Sequence, residues 1–198
     1  TTKLAIISIE KDKYILSIYD TESKDISKKE FDYFENIYDF SFDSRGEQII
    51  LSAERQGQGD VYLYDLSSNK ITQLTDDIFD YRGLCFLKNK NSQIVFSSNR
   101  VADSVNHQAP MHQRIEQNFN LFTFDTNTKK VLTQLTNGLA VNDIPLALDA
   151  NTLLFLSDRR GIKHIYRHDL TTGVTNQISN FLHNIEQFDF QKNKLFVE

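Results

Sequence analysis

The chain repeats one phrase four times, and that repetition limits its fold more than any other feature. Gln48-Ile49-Ile50-Leu51-Ser52-Ala53-Glu54-Arg55 returns as Gln93-Ile94-Val95-Phe96-Ser97-Ser98-Asn99-Arg100. It returns again as Leu153-Leu154-Phe155-Leu156-Ser157-Asp158-Arg159, and in weaker form as Leu4-Ala5-Ile6-Ile7-Ser8-Ile9-Glu10. Each copy leads to an aspartate (Asp20, Asp65, Asp125, Asp169), and these stand 45, 60 and 44 residues apart (65−20, 125−65, 169−125). A period of about 45 residues with four short strands per unit is the signature of a β-propeller or a related array.

Strands and turns can be placed within each unit. Gln48–Ala53 is a near-continuous apolar run, as expected of a strand covered on both faces. The turn Gln56–Asp60 contains two glycines, Val61–Leu66 is the next strand, and Ser67–Lys70 the next turn. Ile71–Thr75 follows, and a loop leads to a fourth strand at Gly83–Leu87. Phe119–Asp125, Val131–Thr136 and Ile144–Leu148 continue the pattern, as do Ile165–Leu170, Thr175–Ser179 and Gln187–Phe190. In the first unit Tyr14–Tyr19 and Tyr38–Phe42 hold the corresponding places. The expectation is an all-β chain with less than about a tenth of its residues helical. Any helix is placed in Met111–Gln117.

The residues that mark each unit resemble the repeat of TolB-type propellers. These are Ser-Asp-Arg or a near variant, a Gly-containing turn, an Ile/Val-Tyr strand, Asp-Leu, and then Gln-Leu-Thr. Ala53-Glu54-Arg55, Asp60–Leu66 and Ile71-Thr72-Gln73-Leu74-Thr75 follow it almost position for position. Ser98-Asn99-Arg100 with Gln134-Leu135-Thr136, and Ser157-Asp158-Arg159 with Gln177-Ile178-Ser179, are similar. The family's Ser-Pro-Asp-Gly turn stands here as Asp43-Ser44-Arg45-Gly46, and the first unit lacks its arginine. The resemblance implies four-stranded antiparallel blades over residues 1–198, about four of them, with Tyr38–Phe42, Gly83–Leu87, Ile144–Leu148 and Gln187–Phe190 innermost. TolB-like propellers usually close with six blades. The chain opens and stops on second strands, so the expectation is part of a six-bladed or larger propeller in a longer chain.

Residues that recur in phase with the repeat are read as scaffold. Arg55, Arg100 and Arg159, each beside Glu54, Asn99 or Asp158, are expected to bond the turns of their own unit. Asp20, Asp65, Asp125 and Asp169 are read as strand-end turn residues whose carboxylates accept backbone N–H bonds. His164 and His168 flank strand residues and lack the glutamate of a zinc-protease motif, so they are read as surface histidines.

Function is sought where the repeat breaks. About 15 extra residues fall within the insertion 101–117, which contains His107, Met111, His112 and Arg114. By the resemblance, non-repeating polar residues would ring the channel mouth: Asp39, Asp80, Tyr81, Arg82, Asn142, Asp143 and Glu186. Such a ring suits a hard cation such as Ca²⁺, which takes oxygen ligands; no other cofactor is indicated. No catalytic residue is assigned, since a nucleophile elbow, a phosphate loop, a Cys-x-x-Cys and a triad are all missing from the sequence.

Composition narrows the partners. A net charge of −5 with no basic run argues against nucleic acid, and no segment reaches membrane-spanning length. The single cysteine, Cys85, rules out an internal disulfide. The resemblance implies a non-catalytic, protein- or peptide-binding scaffold in the bacterial periplasm or cell envelope, with a cytoplasmic setting as the other option. The alternative is a substrate-gating propeller of a larger serine peptidase, of the prolyl-oligopeptidase or tricorn type, working with other domains of its parent chain. A saccharide lyase or hydrolase would need a histidine cluster for metal that the sequence does not supply.

Overall fold

The structure is a computed structural model that describes residues 3–90, 92–101, 115–191 and 193–198. All regular structure among the described residues is strand, and no helix occurs there. Three sheets are four-stranded antiparallel meanders whose spatial order follows the chain. They are β4 (Asn36–Phe42) to β7 (Lys70–Gln73), β8 (Tyr81–Phe86) to β11 (Lys130–Gln134), and β12 (Asn142–Ala147) to β15 (Thr175–Gln177). Before them lies a three-stranded sheet of β1 (Lys3–Glu10), β2 (Lys13–Asp20) and β3 (Ile26–Phe31). After them β16 (Phe188–Gln191) pairs with β17 (Lys194–Val197).

The repeated apolar phrase forms the second strand of each four-stranded sheet: β5 (Gln48–Arg55), β9 (Gln93–Arg100) and β13 (Thr152–Ser157). Side chains on a strand alternate between faces, so a continuous apolar run serves two interfaces at once. Ile49 and Leu51 pack toward β2 and β3, while Ile50 packs toward the next sheet with Ile94 and Phe96. Val95 then faces Leu153 and Phe155, and Leu154 and Leu156 face Ile185 and Phe188. The sheets therefore stack face on face in sequence order, each sharing an apolar layer with its neighbours.

The polar repeat residues fasten each sheet to itself. In the third strands β6 (Gln58–Asp65), β10 (Ile115–Asp125) and β14 (His164–Asp169), the closing aspartate accepts N–H bonds from the turn that follows. Asp65 takes Ser68 N–H at 2.9 Å, Asp125 takes Thr128 N–H at 2.8 Å, and Asp169 takes Thr172 N–H at 2.8 Å. Asp20 does the same with Glu22 and Ser23, and these N–H bonds hold the Asp20 and Asp169 carboxyls below the usual range. Four residues beyond each aspartate the backbone turns left-handed, at Lys24, Asn69, Lys129 and Gly173.

The threonine of Gln-Leu-Thr has an equally specific task. Thr75 Oγ1 accepts Val61 N–H at 2.9 Å and donates to buried Asp60 at 2.8 Å. Thr136 accepts Leu121 N–H at 2.9 Å and donates to Asn120 at 3.1 Å. Ser179 accepts Ile165 N–H at 2.8 Å and lies 3.5 Å from His164 Nδ1.

One sequence expectation needs correcting. His164 and His168 are buried, not superficial: they share one face of β14 with Tyr166, and that face is covered by the neighbouring sheet. His168 Nδ1 lies 2.8 Å from Thr175 Oγ1, and burial lowers its pKa. In the stretch named for any helix, Ile115–Gln117 belong to β10 and Ile115 pairs with Arg100. Residues 111–114 lie outside the described residues.

Candidate functional site at the convergence of the inner strands

The turns between second and third strands and the segments entering the first strands lie on one face. Gln56 and Gly57 N–H bond to Glu35, and Gln58 Nε2 donates to Asp77 O at 2.7 Å. Asp80 N–H bonds to Asn99, Val141 N–H to Asp158, and Lys163 N–H to Asn184, each at 2.8–2.9 Å. The residue beside each repeated arginine thus clamps the segment entering its own sheet, as the repeat predicts.

The arginines complete this clamp. Arg55 donates to Tyr33 OH at 2.6 Å and lies over that ring. Arg100 is buried, pairs with Asp77 at 3.6 Å and lies over Phe79. Arg159 donates to Asn142 Oδ1 at 2.8 Å and to Ser157 Oγ at 3.0 Å, with its guanidinium over Tyr166. All three are tied down inside the scaffold.

The first strands β4, β8 and β12 contact one another successively. Each contains a bulge near its start, between Ile37 and Asp39, Arg82 and Leu84, and Asp143 and Leu146. A bulge re-aims the side chains beside it. As a result Tyr38-Asp39, Arg82-Gly83, Asp143-Ile144 and Gln187-Phe188, from four successive sheets, line one cavity of about 410 Å³. A second cavity of about 510 Å³ shares Tyr38 and Arg82 and adds Glu54, Gly57, Gly59, Asp80 and Tyr81.

Close approach of the sheets is built on two residues. Asp39 accepts Phe40 N–H at 2.8 Å and reaches across to Leu84 N–H at 3.0 Å, joining β4 to β8. Burial raises the pKa of Asp39 and nearby Asp143 adds to the rise, whereas the two N–H bonds oppose it. Gly83 has φ +36, and a Cβ there would lie 2.6 Å from Asp143 Oδ1 and 2.7 Å from Ile144 N. Only glycine fits this seam.

The polar groups expected at the mouth divide into two sets. Asp39, Arg82 and Asp143 share the first cavity, and Asp80, Tyr81 and Arg82 the second. Tyr81 is buried edge-on against Phe96 and donates to Asp77, while Asn142 is buried with its amide on Phe119 O at 3.0 Å. Glu186 is exposed and pairs with Lys163 at 3.4 Å, beside the β13–β14 turn, away from that cavity's lining. His107, Met111, His112 and Arg114 lie outside the described residues.

Two cavity residues escaped the sequence reading. Tyr38 lies at the bulge of β4 and Gln187 just before β16, and both line the cavity shared with Arg82 and Asp143. Tyr38 donates its hydroxyl to Glu54, which pushes the phenol up to about 12 and lowers the Glu54 carboxyl. No group of three or more His, Cys, Asp or Glu among the described residues is placed to hold a metal ion. Asp39 and Asp143 instead accept backbone N–H bonds.

Solved structures share this architecture. TolB from Acinetobacter baumannii matches 97% of the chain with a TM-score of 0.73 at 18% identity. A putative TolB from Agrobacterium tumefaciens matches 92% of it with a TM-score of 0.65 at 15% identity. The fold is a TolB-like propeller. The chain spans 44% and 63% of those two TolB chains. A prolyl endopeptidase matches 99% of the chain with a TM-score of 0.62 at 12% identity, over 30% of the endopeptidase. No protein-family profile and no curated protein sequence matches the chain. No helix among the described residues is long and apolar enough to cross a membrane.

Proposed function

We propose that this TolB-like propeller is a non-catalytic scaffold that seats a protein or peptide segment at its mouth, in the bacterial cell envelope. The observation behind this reading is the contrast between two kinds of repeated position. Arg55, Arg100 and Arg159 keep one chemistry and spend it inside the scaffold. Asp39, Arg82 and Asp143 pair with one repeat position of their second strands (Ser52, Ser97 and Leu156) yet differ in charge, and Tyr38 and Gln187 add a phenol and an amide to the same cavity. A cavity with few convergent polar groups is the default binding site of such a fold. The insertion residues His107, Met111, His112 and Arg114 belong to the same proposal as an additional contact.

The propeller is proposed to be larger than the sheets described. Among the described residues no strand pairs with the outer edge of β1, where Leu4 and Ile6 are exposed, and an open edge of this kind is a template for a further strand. The test of function is fluorescence anisotropy with a panel of dye-labelled extended hexapeptides. The doubly substituted Tyr38→Ser/Gln187→Ala protein loses binding, and Leu132→Ser, on exposed β11, retains it. Equal binding by all three proteins would remove the mouth from the account.

The gating propeller of a larger serine peptidase is the second reading, favoured by the near-complete overlap with a prolyl endopeptidase. The parent reading frame decides between the two: a downstream nucleophile-elbow domain supports the gate.

A further inference from the structure

The mouth contains four carboxylates, Asp39, Glu54, Asp80 and Asp143, and each already has a donor. Asp39 and Asp143 hold backbone N–H groups, Asp80 accepts from Asn99 Nδ2 at 2.8 Å, and Glu54 accepts from Tyr38 and Asn36. Arg82 is the opposite case. It is exposed, lines both cavities, and its side chain forms no hydrogen bond or ion pair among the described residues. Its one contact of note is with Phe119, where the guanidinium carbon lies 3.9 Å from the ring centroid.

That contact matters for what Arg82 can bind. A guanidinium held over a ring is restrained in position while its N–H groups stay free to meet a ligand. A planar fork held this way matches a carboxylate in bidentate geometry. The surrounding acids select among anions. One cation amid four carboxylates, in a chain of net charge −5, suits a monoanion and disfavours a phosphate dianion. The Gln187 side chain, lining the same cavity, adds an amide to the polar wall, and Phe188 adds an apolar one.

We propose that Arg82 is a carboxylate anchor, binding either the C-terminal or a side-chain carboxylate of an extended polypeptide seated across the two cavities. The proposal rests on the peptide-binding reading above and adds the recognised group. Phe119 is the positioning partner that holds the guanidinium over its ring. The Arg82–carboxylate pair sits near solvent, so its contribution weakens as salt rises.

The test uses the whole chain and dye-labelled hexapeptides in three forms: free C-terminus, C-terminal amide, and amide with an internal Glu replaced by Gln. Affinities are measured for the native protein, Arg82→Gln and Arg82→Lys, after thermal melts confirm that the variants fold. Removing the recognised carboxylate weakens the native protein about tenfold or more, the usual scale of a charge-assisted hydrogen bond. The same removal leaves Arg82→Gln nearly unaffected, and Arg82→Lys, which keeps charge without the fork, falls between. The peptide form that produces the loss identifies the source of the carboxylate. Equal losses in native and Arg82→Gln proteins, or no loss in either, overturn the anchor while leaving peptide binding intact. Failure of every peptide to bind the native protein overturns both.

Discussion

Replacing Gly83 by alanine probes the seam that brings the mouth residues together. The added Cβ meets Asp143 Oδ1 at 2.6 Å, Ile144 N at 2.7 Å and Pro145 Cδ at 2.9 Å. Two of these atoms are a backbone nitrogen and a proline ring, which cannot swing aside, so β8 and β12 must separate. Overpacking of this kind costs about 1–3 kcal/mol. A left-handed backbone adds about 1–2 kcal/mol for any residue with a Cβ. Together they give about 3 kcal/mol, or a fall in Tm on the order of 10 °C for a chain of this size. Gly173 supplies the control, since its φ is +72 and a Cβ there meets nothing within 4 Å. Thermal melts followed by circular dichroism should show Gly173→Ala losing the backbone part alone and Gly83→Ala losing about twice as much or more. Equal shifts for the two variants would refute the close-approach argument.

Other expectations follow from the same geometry. Arg159→Ala removes charge-assisted bonds to Asn142 and Ser157 and lowers stability by about 1.5–3 kcal/mol, read from denaturant midpoints, without selective loss of peptide affinity. Asp60 has its pKa raised to about 6, first by burial and then by the charges of Asp77 and Asp76, against an opposing bond from Thr75. Its neutral form is the one the fold favours, so that stabilisation is complete below the unfolded value near 3.8 and is lost as pH rises through about 6. The Tm of Asp60→Asn minus that of the native protein should therefore increase between about pH 4 and pH 7; a flat difference would contradict the assignment.

What the sequence disclosed was what recurs. The apolar phrase fixed the second strands because its continuous pattern serves two interfaces, and Asp65, Asp125 and Asp169 lie at strand ends bonded to their turns. The scaffold role of Arg55, Arg100 and Arg159 was legible for the same reason. Single-residue shifts were not. The bulges in β4, β8 and β12 re-aim the side chains beside them, so Tyr38 joins Asp39 at the cavity, while the Tyr81 and Asn142 side chains are buried. The requirement for glycine at position 83 arises from Asp143, Ile144 and Pro145 on another sheet, about 60 residues away in sequence, where local pattern carries no information. His164 was misread because a polar residue in a covered strand is hidden by its neighbours; its place in the repeat, matching Asp60 and Asn120, was the missed signal.

The central claim is that binding occurs where matched positions of the repeat diverge in chemistry. Backbone amide shifts recorded while titrating the protein with the tightest hexapeptide of the panel test it directly. The account predicts that the largest changes fall at Tyr38-Asp39, Arg82-Gly83, Asp143-Ile144 and Gln187-Phe188, the lining of the shared cavity. Changes confined to the outer strands β7, β11 and β15, or to the open edge of β1, would contradict it.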